Sequence, residues 1–183
     1  MNTIPTVDLS DFTSGDAQQK QKFVNALGKA YQDVGFVAVR NHGIPRELVD
    51  AFYKAVEDFF VLPEEIKRKY EVAGLAGQRG FTSFGKEHAK HSKAADLKEF
   101  WQIGQTVEDG EKISDAYPAN VMVSEIHGFN DLGYQLYRNF EHAGRYLLRS
   151  LALFLELEEN YFDDKIHNGN SILRAIYYPP ITH

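Results

Sequence analysis

Residues 35–70 read GFVAVRNHGIPRELVDAFYKAVEDFFVLPEEIKRKY, and the order of elements inside this stretch frames the rest of the chain. FVAVR is a run of β-branched and aromatic residues, and the NHGIP that follows supplies the Asn, Gly and Pro that end a strand and open a helix. Leu48, Phe52, Val56, Phe59 and Phe60 then recur mostly at spacings of three and four, which predicts an amphipathic helix. Pro63 is expected in the first turn of a further short helix, PEEIKRKY. Upstream, Phe23, Leu27, Ala30, Tyr31 and Val34 place another helix before Gly35. It is preceded by a short strand in IPTVDL, residues 4–9, and by a polar stretch, residues 10–16, with several N-cap candidates.

Downstream, residues 71–118 are rich in Gly and Lys and weak in periodicity, but RGFTSFG and LKEFWQIG each alternate well enough to be short strands. Between residues 124 and 157, the stripe Phe129, Leu132, Leu136, Phe140, Ala143, Leu147, Leu151 and Phe154 predicts one long helix. Gly128, Gly133 and Gly144 each cost about 1 kcal/mol relative to Ala in such a helix, so a kink or a close approach is expected near one of them. ILRAIYY, residues 172–178, reads as a strand that Pro179 and Pro180 end. Alternation puts Arg174, Ile176 and Tyr178 on one of its faces and Leu173, Ala175 and Tyr177 on the other. The expected fold is α+β: the long helix packs across the helices of the first seventy residues, beside one small sheet built from TVDL, FVAVR, EFWQI and ILRAIYY.

With 183 residues, 43% of them apolar, the chain can bury one core as a single unit, residues 1–183, and no internal repeat divides it. A net charge of −6 argues against a phosphate-backbone binder, so nucleic acid is excluded as a partner. The absence of cysteine removes disulfides and thiolate metal sites. MNTIPTVDLS lacks the basic and apolar regions of a signal peptide, and no apolar run approaches the roughly 20 residues that cross a bilayer. A soluble, cytoplasmic protein without a membrane partner is expected.

The pieces together resemble a family. IPTVDLSDF, LGKAYQDVGFVAVRNHGIP, FFVLPEEIKRKY, RGFTSFGKEHA, DLKEFWQIG and LRAIYYPP, in this order from Ile4 to Pro180, are similar to the amino-terminal half of the isopenicillin N synthase-like, non-haem Fe(II) and 2-oxoglutarate-dependent oxygenases. The resemblance implies the helix-rich amino-terminal region of a double-stranded β-helix, or jelly roll, whose barrel is incomplete in this chain. In the family, the strand ending in Tyr-Pro leads into strands that carry a His-x-Asp pair and then a second His, and these three residues bind iron. Two imidazoles and a carboxylate on one face of an octahedron leave the other face for co-substrate, substrate and oxygen.

None of the three ligands is identified in this chain, and His183 has nothing after it to form a His-x-Asp pair. The one internal run with metal-like spacing is EHAKHSKAAD, where His88 and His91 are flanked by Glu87 and Asp96. Lys86, Lys90 and Lys93 are interleaved with them, so a solvated basic loop is the expected role. His42 is expected to serve its turn, while His127, His142 and His167 carry no functional weight. Trp101, the only Trp, is expected as a core anchor.

Three residues are candidates for contact with substrate or co-substrate. The resemblance makes Tyr178 the Tyr before Pro that meets one of these in relatives, and Arg174 on the same face could offer its guanidinium to a carboxylate. The alternative for Tyr178 is an ordinary core aromatic with its hydroxyl at the rim. Ile176 stands where many plant relatives carry an Asn. Arg79 lies near the place of a substrate-binding Arg in some relatives, with an exposed loop arginine as the alternative. No catalytic residue and no metal ligand is assigned within the chain.

The expected function is therefore oxidation of a small molecule by O2, with Fe(II) and 2-oxoglutarate, by a longer parent protein. The 183-residue chain by itself is expected to be inactive and to hold neither cofactor. The alternative is a non-catalytic scaffold or binding module lacking iron. A strand that feeds an absent barrel also predicts self-association through the incomplete sheet.

Overall fold

The computed structural model describes residues 3–75, 77–87, 96–107, 111 and 117–180. They form an α+β chain that divides into two compact units, Met1–Pro45 with Arg138–His167, and Arg46–Tyr137 with Asn168–His183.

In the first unit, β1 (Thr6–Asp8) runs straight into α1 (Leu9–Thr13), because the Asp8 carboxylate accepts the Ser10 N–H and caps the helix. Asp16 caps α2 (Ala17–Asp33) in the same way, accepting from the N–H groups of Gln18 and Gln19 at 2.8 and 2.9 Å. α2 ends where Gly35 takes a left-handed φ of 81°. The chain returns as β2 (Ala38–Arg40), parallel to β1 with Val7 opposite Val39, and α2 is the crossover that a parallel pair requires. Val7, Leu9, Phe12, Phe23, Val24 and Leu27 form the core with Ala143, and Leu147, Leu151 and Phe154 pack against it. Residue 28 has room only for glycine: a Cβ there would stand 2.2 Å from the Phe154 ring.

The second unit begins with α3 (Arg46–Phe60), whose buried face is Phe52, Ala55, Val56, Phe59 and Phe60. α4 (Glu64–Lys67) follows Pro63, which occupies the N-cap, and runs into a single 3-10 turn, Arg68–Tyr70. β3 (Gly80–Thr82), β4 (Glu99–Gly104) and β5 (Ile172–Tyr177) make a three-stranded antiparallel sheet with β4 in the middle. Its covered face carries Phe81 and Trp101 into an aromatic core centred on Phe59, and Tyr177 stacks on Phe60 at 5.2 Å. Lys67 and Glu99 are buried beside this core and pair at 2.8 Å.

The long helix is α5 (Phe129–Phe154), 26 residues or about 40 Å long, with the short α6 (Asp163–Ile166) after it. It starts at the first residue of the apolar stripe, five residues inside the expected 124–157 window, because Gly128 at φ 75° cannot continue a helix and Asn130 folds its amide back onto the N–H and C=O of Val123. It stops at Phe154 because Glu156 adopts a left-handed φ of 58° and the Leu157 N–H closes onto Ala152. The expected close approach is at Gly133, where a Cβ would lie 2.4 Å from Ile103 Cδ1 and 3.1 Å from Phe52. Gly133→Ala should therefore destabilise the protein by about 1–3 kcal/mol, the cost of overpacking, whereas Gly144→Ala, with nothing within 4 Å, should be neutral or stabilising. Urea midpoints of the two variants check this.

Two expectations are corrected. The strands do not form one sheet: TVDL and FVAVR pair with each other, while EFWQI and ILRAIYY join GFT in a second sheet. The 17-residue helix between β1 and β2 supports a parallel pair, and the antiparallel registers of β4 leave no free edge on that strand for either of them. Leu9, read as the end of a strand, instead begins α1, because the cap at Asp8 turns the backbone immediately.

Candidate functional site

Alternation along β4 sends Trp101 and Ile103 into the core and puts Phe100, Gln102 and Gly104 on the opposite face. The registers set Thr82 and Ile176 beside Phe100, and Arg174 beside Gln102. This second face opens along β5, where Ile176 is 46% and Tyr178 66% exposed. From the Gly104 end of β4 to its Glu99 end, the three candidate residues are met in the order Arg79, Arg174, Tyr178.

Arg174 is fixed by neutral groups on two sides. Its Nε donates to Gln102 Oε1 at 2.8 Å, and its guanidinium lies 4.3 Å from the centre of the Phe100 ring. On a third side Nη1 stands 3.4 Å from Glu87 Oε1, and the other Glu87 oxygen pairs with Lys98 at 2.7 Å. Asp96 also accepts from Lys98, at 2.9 Å, and the acceptor carboxylates of Asp96 and then Glu87 hold the Lys98 ammonium well above the usual lysine range.

Arg79 is wholly buried, not an exposed loop residue. Gly80, at φ 72°, turns the chain so that the guanidinium lies over Gly104, where a Cβ would stand 2.1 Å from it. The Tyr117 ring covers it at 5.0 Å, Nη1 donates to Gln78 O at 2.7 Å, and Nη2 reaches Asn170 Oδ1 at 3.4 Å. The Tyr117 hydroxyl donates to the carbonyls of Gln105 and Gly169, both at 3.2 Å, and so holds the ring in place. No carboxylate pairs with Arg79 among the described residues, and its Nε has no partner there.

Tyr178 projects beyond the end of β5 with its side chain in solvent. A cavity of about 390 Å³ lies beside the same face, with Glu71, Gly77, Thr82, Lys86, Glu87 and Phe100 among its walls. Lys86 pairs with Glu71 at 2.5 Å, and Glu71 accepts the Ser83 N–H, which ties the turn after β3 to the segment before it.

Gln102, Phe100, Glu87 and Tyr117 are the residues that sequence reasoning did not assign to this face. Alternation in EFWQIG already pairs Phe100 with Gln102 on one side of the strand, but nothing in the sequence sets their register against Arg174. His88, His91 and His183 lie outside the described residues. His42 serves its turn, its Nδ1 accepting the Ile44 N–H at 3.1 Å, and His142 packs edge-on against Tyr146. Among the described residues, no group of three His, Asp or Glu side chains could hold a metal ion, and no helix is long and apolar enough to cross a membrane.

The chain is 28% identical over 185 residues to a 2-oxoglutarate-dependent dioxygenase of Aspergillus rugulosus, a match that covers 97% of this chain and 56% of that protein. It superposes with a TM-score of 0.86 and 31% identity on a Caulobacter crescentus protein described as a member of the 2OG-Fe(II) oxygenase family, covering 100% of this chain and 58% of that one. A full-length Neurospora crassa protein, solved in complex with alpha-KG and thymine, superposes with a TM-score of 0.78 at 25% identity, over 96% of this chain and 55% of that one. The chain thus spans about half the length of the curated relatives it matches. The family model for the non-haem dioxygenase in morphine synthesis N-terminal region matches residues 4–125, from the strand that opens the first unit through β4 in the second. The chain belongs to this non-haem dioxygenase N-terminal family.

Proposed function

We propose that the chain is the amino-terminal part of a longer cytoplasmic oxygenase, one that couples decarboxylation of 2-oxoglutarate to oxidation of a small molecule by O2. The observation that carries this reading is the three-stranded sheet itself. One of its faces is sealed by the Phe59 core, and the other presents Arg174, Ile176 and Tyr178 outward at an edge strand. In this reading β3, β4 and β5 are the first strands of a double-stranded β-helix, and the open face becomes part of its interior. Arg174 and Tyr178 are the residues of this chain that face substrate or co-substrate, and Arg79 is the buried cation between Gly104 and the Tyr117 ring. The relatives support the cofactors, since they are named for 2-oxoglutarate and Fe(II), and thymine in the Neurospora protein supports a small-molecule substrate.

The described residues do not themselves fit iron. In the proposal the ligands are a His-x-Asp pair and a later His beyond β5. The iron would supply oxygen activation, and this chain would supply the sealed core and the positioned cations. β5 has a partner on one side only among the described residues, so the chain alone is proposed to self-associate through that edge.

The test is turnover. A chain extended through the two histidines and the aspartate, given Fe(II), ascorbate and 2-oxoglutarate, should release succinate above the rate without enzyme, and the 183-residue chain should not. An extended chain that neither retains iron nor releases succinate, with or without a panel of small molecules, would favour the scaffold reading.

A further inference from the structure

The starting point is the reading of the open sheet face as ligand-facing, and the inference rests on it. Arg174 has the features of an arginine prepared for a carboxylate. Its ring stacking and the Gln102 bond fix the plane of the guanidinium, and its side chain is still 37% exposed. The position a carboxylate would take is occupied by a carboxylate of the chain itself, Glu87. That contact is long: 3.4 Å, where charge-assisted bonds of this type are about 2.7–2.9 Å. The second oxygen of Glu87 forms the closer ion pair, 2.7 Å from Lys98 Nζ.

This asymmetry matters, because Glu87 can leave Arg174 without becoming an unpaired charge. Lys98 and Arg174 share Glu87, and Asp96 adds a second carboxylate to Lys98. Removing Glu87 from Arg174 therefore exposes one cation and strands no anion. Glu87 and Phe100, the two residues that touch Arg174 from this side, are also walls of the 390 Å³ cavity. Arg174 is not itself a wall of the cavity, so a small molecule there would reach it by taking the place of Glu87.

We propose that Glu87 is an internal competitor for Arg174, which yields the guanidinium to the carboxylate of a ligand in the adjoining cavity and so sets the affinity of this site for carboxylates. A neutral molecule of the same size gains nothing from displacing Glu87, whereas a carboxylate exchanges a long ion pair for a short one. The retained Lys98 pair keeps the displaced Glu87 carboxylate neutralised during the exchange.

The probe is propionate, titrated at constant ionic strength into the 183-residue chain, with the Arg174 Nε–Hε signal followed in 15N-edited NMR spectra. Constant ionic strength matters because partly exposed pairs weaken with salt. The wild-type chain should show weak saturable binding, and Glu87→Gln should tighten it about fivefold, the scale of one partly exposed ion pair. Arg174→Gln should abolish the propionate-dependent shifts of the Thr82 and Phe100 amides while leaving the rest of the spectrum in place. An unchanged or weaker affinity in Glu87→Gln, amide shifts that survive Arg174→Gln, or no saturable binding in either the wild type or Glu87→Gln would overturn the proposal. The titration uses no iron and no 2-oxoglutarate, so it can fail while the turnover test succeeds, and the reverse.

Discussion

Phe59→Ala is expected to lower stability by about 3–5 kcal/mol, the upper range for losing a buried aromatic ring. Phe59 has no exposed surface, and its ring centre lies 5.6 Å from Phe60, 5.9 Å from Tyr70, 5.8 Å from Phe81, 5.0 Å from Trp101 and 5.4 Å from Phe129. Those rings are carried by α3, the 3-10 turn, β3, β4 and α5, so the walls of the hole belong to five separately anchored segments. Such a cavity cannot collapse readily, and the cost rises with the volume left behind. Against a typical domain stability of about 5–15 kcal/mol, the variant should be largely unfolded by mild urea. Far-UV circular dichroism measures the midpoint without relying on Trp101, whose emission the substitution itself alters. A loss under about 1 kcal/mol would contradict the packing described.

Lys67→Ala is expected to cost nearly as much for an electrostatic reason. Lys67 and Glu99 are 6% and 5% exposed, and the ammonium donates to both carboxylate oxygens at 2.8 Å and to the Phe60 carbonyl at 3.2 Å. Removing the lysine leaves a buried carboxylate alone, which costs about 3–5 kcal/mol when one partner of such a pair is deleted. Replacing both residues, as Lys67→Met with Glu99→Leu, should recover most of the loss.

The pH dependence follows from the direction of the Glu99 shift. Burial raises its pKa above the ordinary 4.5, and Lys67 only partly opposes that. A carboxyl whose folded pKa is raised stabilises the fold fully below its unfolded value, and that contribution disappears as pH rises through the folded value. Without Lys67 the folded value rises further. The deficit of Lys67→Ala should accordingly be largest at neutral pH and shrink as pH falls toward 4.5. Urea unfolding of both proteins across that range checks the sign; a deficit that grows on acidification would mean that Glu99 is not the group left unpaired.

The helices were legible because their faces are periodic over many residues. Periodicity puts Phe52, Val56, Phe59 and Phe60 on one buried stripe, where they are found, and it locates α5 apart from its ends and Phe140, which is 48% exposed. Those ends depend on local conformations at Gly128 and Glu156, which a hydrophobic pattern does not record. Sheet membership was not legible, since three-residue strands such as β1 and β2 carry too few side chains to state a partner. At the site, alternation alone put Arg174, Ile176 and Tyr178 on one face. The burial of Arg79 under Tyr117 arises from a contact 38 positions apart in the chain, and no local pattern carries it. In the sequence Glu87 stands out only as a neighbour of His88 and His91, and its pairing with Lys98 and Arg174 exists only in the fold.

The central proposal is that this chain supplies the sealed core and the Arg174 face of an oxygenase whose iron ligands lie beyond β5. Iron content after desalting tests it most directly. The 183-residue chain and a chain extended through the His-x-Asp pair and the later His are each loaded with Fe(II) under anaerobic conditions, passed through a desalting column and assayed for metal. The account predicts about one iron per extended chain, lost when either histidine is replaced by alanine, and none retained by the short chain. Stoichiometric iron in the short chain would contradict it, because the metal would then be held by side chains within residues 1–183 and not by ligands beyond β5.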